Sequence, residues 1–362
     1  MTTTESRLVL IGRNSSKIWG MDNEERARRI ARASRLEEVA PGSIGSIYVN
    51  LDYAFDPMWF RHIVATSETM LTNGPDLVLA NLPTGMSPET ADHVRVIDYR
   101  DKPLIYNRQL RKLDCPFVER LTAETRRDIE RHSYFGAYKG VTDVLTKYLW
   151  PELAFHLTRL AARLGLTPNL ITSVGAVLCL AATILFAQGS YWTGMVAGFG
   201  FMVLDTVDGK LARCTITSSK FGNLFDHGID LVHPPFWWYF WGVGLSTLGL
   251  ALPPLIFQIV MAAILAGYVL QRLIEGVFIR VFGIDIHTWR PFDSSFRLIT
   301  ARRNPNMIIL FLSLLLGRPE LGLIGVAAWT VICLVVHAVR LFQAYWSRNA
   351  GTAIRSWMET EP

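Results

Sequence analysis

Up to about residue 145, apolar positions come in short runs separated by charged stretches. The runs Arg7–Ile11, Ser46–Leu51 and Asp76–Asn81 predict strands, and Asn23–Val39 predicts a helix between the first two. Strands alternating with helices predict a small α/β, Rossmann-like domain with a mainly parallel sheet. The stretch Thr122–Tyr148 is charged with a helical pattern. It leads into Pro151–Leu164, whose apolar residues recur at helical spacing around Arg159 and Arg163, which predicts a helix lying along a membrane surface.

The pattern then changes to long apolar runs. Six candidate spans follow: Asn169–Gln188, Tyr191–Leu211, Leu224–Leu245, Leu255–Phe282, Asn306–Gly317 and Leu321–Trp346, the fifth short on its own. An even number of spans returns the C-terminus to the side where the first domain lies. The charges agree: Arg213, Lys220, Arg280, Arg290, Arg297, Arg302, Arg303, Arg348 and Arg355 all fall on that side. The opposite loops, Gly189–Ser190, Ser246–Leu252 and Arg318–Glu320, hold Arg318 as their one basic residue. The expected organisation is a cytoplasmic α/β domain over residues 1–140, an α-helical integral membrane domain of six transmembrane helices over 141–350, and a cytoplasmic tail over 351–362. No internal repeat or low-complexity tract points to another architecture.

Composition supports the membrane assignment. A hydrophobic fraction of 50% and a mean hydropathy of +0.25 are too apolar for a soluble protein of mixed structure. The net charge of +5 raises nucleic acid as a partner, but the basic residues sit beside apolar segments instead of forming one exposed stripe, so membrane lipid is the expected partner and nucleic acid is not. Cys115, Cys179, Cys214 and Cys333 lie far apart with no metal-ligand spacing and read as reduced and structural. Met1 to Glu5 contains no basic region leading into an apolar stretch, so no cleaved signal peptide is expected and the first domain is placed in the cytoplasm.

The candidate chemistry lies in Leu204–Arg213 and Phe221–Asp230. Asp205 and Asp208 are three apart and Asp226 and Asp230 four apart, so on two helices each pair shares a face. An ionised carboxylate in a membrane span costs about 2.5 to 3.5 kcal/mol, so four together require compensation. Mg²⁺ or Mn²⁺, which take hard oxygen ligands, would supply it, and two ions about 3.5 to 4 Å apart would also polarise a phosphorus under attack. Gly209 and Ala212 would let a nucleotide approach the backbone, and Arg213 would fork onto a phosphate. Taken singly, Asp226 reads equally well as a helix cap or a solvated residue at a membrane end. The full pattern does not.

The run Asp205-x-x-Asp208-Gly209-x-x-Ala212-Arg213, eight further residues, then Gly222-x-x-x-Asp226-x-x-x-Asp230 resembles without a gap the signature of the CDP-alcohol phosphotransferases. The resemblance covers about residues 145–348, and Thr167-Pro-Asn-x-x-Thr172 is similar to the family's lead-in to its first span. It implies a six-helix membrane enzyme of phospholipid or inositol-lipid biosynthesis that moves a substituted phosphate from a CDP-linked donor, CDP-diacylglycerol or a CDP-alcohol, to an alcohol acceptor, with release of CMP. It implies further that Asp205, Asp208, Asp226 and Asp230 hold two metal ions, that Asp230 is also the general base, and that Gly209, Ala212, Arg213 and Gly222 line the cytidine diphosphate site. Members are often dimers, so a homodimer is part of the expectation.

Other readings stay open at this point. Intramembrane aspartates also serve cation-coupled transporters. The family includes fusions with a sugar-phosphate nucleotidyltransferase, which would make the chain bifunctional with an active N-terminal cytidylyltransferase. Its loop Ile11–Lys17 lacks the repeated glycines of such enzymes, though Arg13 and Lys17 would still meet phosphate, so a degenerate domain is the expectation. His227 and His233 flank the aspartates as neighbours that order the acceptor or simply hydrogen-bond. Arg272 and Glu275 read as a pair, and Arg297, Arg302 and Arg303 as contacts to lipid head groups or to a phosphate. Trp237, Trp238, Tyr239 and Trp241 read as membrane packing.

Overall fold

The computed structural model describes residues 7–34, 36–38, 47–83, 86–91 and 93–359. Two compact units emerge. The first reaches to Tyr138 and takes in Phe155–Thr167 and Gly209–Ser218; the second comprises Lys139–Ala154, Pro168–Asp208 and the chain from Ser219 onward.

The first unit is built on a six-stranded sheet: β1 (Arg7–Ile11), β2 (Glu37–Glu38), β3 (Ile47–Asn50), β4 (Thr69–Asn73), β5 (Asp76–Asn81) and β6 (Arg95–Asp98), in the order β2-β1-β3-β5-β4-β6. β1 pairs in parallel with β2 and β3, and β4 with β6, whereas β5 runs antiparallel to both of its neighbours. The sheet is therefore mixed, and less uniformly parallel than the alternation implies. Only Gly74 and Pro75 separate β4 from β5, and Gly74 takes φ +64. A link that short closes a hairpin, because a parallel crossover needs a dozen residues or more.

Two helices share the sheet's core. Helix α1 (Asn23–Ala33) starts where the Asp22 carboxylate accepts the Glu25 N–H at 2.7 Å, and α2 (Pro57–Ala65) follows the Asp56 cap. Ala27 and Ile30 of α1, with Trp59, Phe60 and Ile63 of α2, are buried with Leu8, Ile47, Val49, Leu71 and Val78 in one cluster. The expected first helix stops at Ala33 instead of Val39. Val39 and Ser46 lie outside the described residues. Farther on, the charged stretch forms α3 (Arg126–Gly136), a single π turn at Leu145–Leu149, and α4 (Pro151–Arg163).

The second unit is helical: α5 (Pro168–Ala187), α6 (Tyr191–Cys214), α7 (Lys220–Gly244), α8 (Pro254–Phe282), α9 (Pro291–Phe296), α10 (Arg303–Leu315) and α11 (Pro319–Asn349), with the residues of α6 from Gly209 onward belonging to the first unit. Three of these helices, α5, α8 and α11, are long and apolar enough to cross a membrane. The other expected spans are helices that fall short of that standard. α6 and α7 have the length but carry Asp205, Asp208, Lys210 and Arg213, and Lys220, Asp226 and Asp230. α10 has 13 residues. That is about 20 Å of helix, against a hydrocarbon core of about 30 Å.

Close approach between helices comes from small residues. α8 packs along α11 and α5 along α7. A Cβ on Gly267 of α8 would lie 2.6 Å from Thr330 Cγ2 on α11, so only glycine fits that crossing. In α7, Pro235 has no N–H to offer the Leu231 carbonyl, which instead accepts the Tyr268 hydroxyl of α8 at 2.8 Å.

A second set of polar groups gathers at Glu275 of α8. Arg272 reaches it at 3.0 Å, as the sequence suggests, and Arg302, the N-cap of α10, at 2.6 Å. His287 Nε2 lies 3.4 Å and His337 Nε2 3.7 Å from the same carboxylate, and His337 Nδ1 meets the Cys333 carbonyl at 2.7 Å. Two guanidinium groups already satisfy Glu275, so the cluster works as a brace tying α8, α10 and α11 together.

Both features generate expectations. Gly267→Ala lowers the melting temperature in detergent, since overpacking costs about 1 to 3 kcal/mol against a helix-propensity gain of about 1 kcal/mol. Gly276→Ala on the same helix, where nothing lies within 4 Å of the added Cβ, raises it; equal shifts at the two sites would contradict the packing. For His287, 3% exposed in the turn after α8, burial pushes the pKa down to about 3. A depressed imidazole pKa stabilises the fold fully above the unfolded value near 6.5, and the contribution drains away as pH falls towards 3. By pH 5 the loss is about 2 kcal/mol. His287→Gln, neutral throughout, flattens the decline of melting temperature between about pH 6.5 and 4, and an unchanged slope would refute the assignment.

Candidate active site

α6 and α7 each deliver carboxylates to one place. Asp205, on α6, and Asp226 and Asp230, one turn apart on α7, each contribute an oxygen to a set lying within 4.8 Å of one another. Their exposure rises from 17% for the Asp205 side chain through 31% for Asp226 to 44% for Asp230. Asp208, 3% exposed, is not one of those three. Its Oδ2 accepts the Thr172 hydroxyl at 2.5 Å, which ties α6 to the first turn of α5.

The cluster also holds a cation that no local pattern in the sequence places there. Arg303, the first residue of α10, donates from Nη2 to Asp205 Oδ2 and from Nη1 to Asp230 Oδ1, both at 2.6 Å. Its Nε donates to Asn304 Oδ1 at 3.0 Å, and the guanidinium lies over the Phe201 ring at 4.8 Å. Asn304 is held in turn, its amide nitrogen donating to Asp143 Oδ1 at 2.9 Å. Burial works against a charge on Asp143, but Arg297 and the hydrogen bonds from Thr146 and Asn304 outweigh it and keep the carboxyl below its usual range. The three arginines read from the sequence as lipid or phosphate contacts thus meet carboxylates: Arg297 beside Asp143, Arg302 on Glu275 and Arg303 on Asp205 and Asp230.

The other expected residues fall as follows. Gly222 stands in the first turn of α7, where a Cβ would come 2.8 Å from Asn169 Oδ1 and 3.0 Å from the Ser219 hydroxyl that caps the helix. Gly209, Ala212 and Arg213 lie on the last turns of α6, and a Cβ on Gly209 would meet the Arg213 guanidinium at 3.2 Å. His227 is exposed and turned back on its own helix, 2.7 Å from the Asn223 carbonyl and 3.8 Å from Asp226 Oδ2. His233 is buried edge-on between Phe201 and Trp237. Trp237, Trp238 and Trp241 are fully buried, two of them donating to the carbonyls of Cys179 and Pro319, as packing residues do. The four cysteines are free thiols.

In the first unit, Arg13 and Lys17 are exposed after β1, and the chain there enters the Lys17–Ile18/Met21–Asp22 hairpin, not a helix N-terminus. In the next helix the Glu25 N–H is already taken by the Asp22 carboxylate. A cavity of about 760 Å³ opens elsewhere in that unit, lined by Asp56, Tyr99, Lys102 and His132 among others, with neither Arg13 nor Lys17 in its wall.

Chemically, three converging carboxylates are an all-oxygen donor set of the kind that hard divalent cations take. Imidazole and thiol are absent from the set, so the residues fit Mg²⁺ or Mn²⁺.

Residues 165–293 match the CDP-alcohol phosphatidyltransferase family. Cholinephosphotransferase 1 of Xenopus laevis is 31% identical over 125 residues, covering 32% of this chain and 30% of the relative. Phosphatidylinositol phosphate synthase of Mycolicibacterium smegmatis is 32% identical over 88 residues, covering 24% of this chain and 40% of the relative. The chain thus spans only 30% and 40% of the lengths of these two curated relatives. Among solved structures, Mycobacterium tuberculosis phosphatidylinositol phosphate synthase with CDP-DAG bound aligns at 18% identity and a TM-score of 0.41, over 53% of this chain and 94% of that one. Residues 165–293, which hold Asp205, Asp208, Asp226 and Asp230, are thus similar to the CDP-alcohol phosphatidyltransferase family.

Proposed function

We propose that the chain is a membrane phosphotransferase that moves a substituted phosphate from a CDP-linked donor to an alcohol and releases CMP, in phospholipid or inositol-lipid biosynthesis. The observation carrying this reading is the convergence of Asp205, Asp226 and Asp230 from two helices. Asp208 completes the ligand set, and two Mg²⁺ or Mn²⁺ ions are the cofactors. Bound there, they would neutralise the diphosphate and make its phosphorus more electrophilic.

The remaining steps belong to side chains. The acceptor oxygen forms a bond to the phosphorus bearing the substituent, the bond from that phosphorus to the CMP oxygen breaks, and the hydroxyl proton passes to Asp230. Asp230 suits this role because it is the most exposed of the three and so the one an incoming alcohol can reach. Gly209, Ala212, Arg213 and Gly222 are assigned to the cytidine diphosphate.

The domain division follows the same reading: a degenerate nucleotidyltransferase-like domain over 1–140, the membrane domain over 141–350 with α6, α7 and α10 completing six spans, and a tail over 351–362. Both termini face the cytoplasm, on the strength of the basic residues gathered on that side. The hairpin after β1 supports the degenerate reading, since phosphate binding favours a helix N-terminus. A homodimer is the expected assembly, and light scattering gives its mass.

Asp230→Asn lowers CMP release by roughly 10² to 10⁴-fold, the usual worth of a general base, with the melting temperature close to that of the parent protein; normal turnover would remove Asp230 from the base role. CDP-diacylglycerol, CDP-choline and CDP-inositol, each offered with candidate acceptors, should yield CMP with at least one donor and only when divalent metal is supplied after chelation. A cation transporter would yield none with any of them.

A further inference from the structure

The position of Arg303 carries a consequence for how the site is loaded. Its guanidinium spans the gap between Asp205 and Asp230, taking one oxygen from each at 2.6 Å. All three of its donor nitrogens are engaged, the third by Asn304, and the side chain is 11% exposed. It is thus a fixed charge, not a surface arginine that drifted onto an acid. The two carboxylates it joins lie 98 and 73 residues away in the chain and on different helices, so it occupies the space between helices where a cation shared by them would sit. Like charges at contact distance repel strongly even at the effective dielectric of a protein, so a divalent ion and this guanidinium compete for the same oxygens.

We propose that Arg303 is a resident counter-ion of the carboxylate cluster: it keeps Asp205 and Asp230 together while the site is free of metal, and it releases at least one of them when a divalent ion binds. The proposal rests on the metal-dependent reading above. Its physical basis is that three carboxylates converging without a cation would push α6 and α7 apart, whereas a guanidinium fork bonds two at once and compensates part of their charge. A monocation with two long-range contacts is also easier to displace than a second metal ion. The site is then assembled before loading, at the expense of some metal affinity.

The test uses the full-length protein in detergent, stripped of metal and titrated with Mn²⁺ alone, free Mn²⁺ being read from its electron paramagnetic resonance signal. Arg303→Gln removes the charge. It should bind Mn²⁺ roughly tenfold more tightly or better, melt at a lower temperature when metal-free, and regain more of that loss on adding Mn²⁺ than the parent protein does. Arg303→Lys keeps the charge but not the fork, and its affinity should fall between the two, which preserves the test if Arg303→Gln does not fold. A merely structural arginine would leave affinity unchanged or weaken it, and either result in these variants would overturn the proposal. Asp226→Asn, which leaves both Arg303 partners intact, separates the two readings. If the parent protein binds Mn²⁺, Asp226→Asn abolishes binding and the arginine variants gain nothing, the counter-ion role alone fails; if neither the parent nor Arg303→Gln binds Mn²⁺, the metal reading fails and takes this one with it.

Discussion

Negative charge brought together among apolar helices must be compensated, and the second unit is arranged around that requirement. Asp205, Asp226 and Asp230 converge where α6 meets α7, and each repels the others. Arg303 supplies the compensation within the chain itself. Its placement depends on a sequence of contacts: Asn304 orients Nε, Asp143 and Thr146 hold Asn304, and the neighbouring Arg302 is bound to Glu275 on α8. The start of α10 is therefore pinned on both sides, and the guanidinium has little freedom to leave the acids by accident.

The polar braces around the site have a common logic. Each occurs where a helix would otherwise present an unsatisfied group. Pro235 frees the carbonyl of Leu231, the residue after Asp230, and Tyr268 takes it up. Asp208 is buried and receives Thr172. Glu275 is mostly shielded and receives two arginines. In an apolar setting such a group has no water to turn to, so its partner must be found on a neighbouring helix, and the partner fixes the register of the two helices.

How far this could be seen in the sequence depends on the range of the interaction. The aspartate pairs were legible because their spacing of three or four is a property of a single helix, and α5, α8 and α11 because apolar length alone defines them. β1, β3 and β5 were legible for the same reason, their periodicity being local, whereas β2, β4 and β6 were not singled out, and the direction of β5 depended on reading two residues, Gly74 and Pro75, as a hairpin. Arg303 was not legible as a partner of Asp205 and Asp230. Nothing local distinguishes an arginine that meets lipid from one that meets a carboxylate 98 residues away. The same applies to Thr172 and to the gathering of His287 and His337 on Glu275, each of which depends on how helices pack.

Gly222 shows why a motif position need not touch the chemistry it accompanies. The resemblance assigns it to the nucleotide, yet a Cβ there would come 2.8 Å from Asn169 Oδ1 and 3.0 Å from the Ser219 hydroxyl, so these two side chains would have to give way. Asn169 belongs to the Thr167-Pro168-Asn169 lead-in of α5, and Ser219 caps α7, so glycine there lets the first turns of two helices approach. Asp226 lies one turn along α7 from that contact. An added side chain would first disturb the Asn169 side chain and the Ser219 cap of this turn, so an effect of substituting Gly222 has a packing route that needs no contact between the glycine and a nucleotide. The glycine and the aspartate are thus linked through one helix turn, whose cap and whose neighbour on α5 the missing side chain leaves undisturbed.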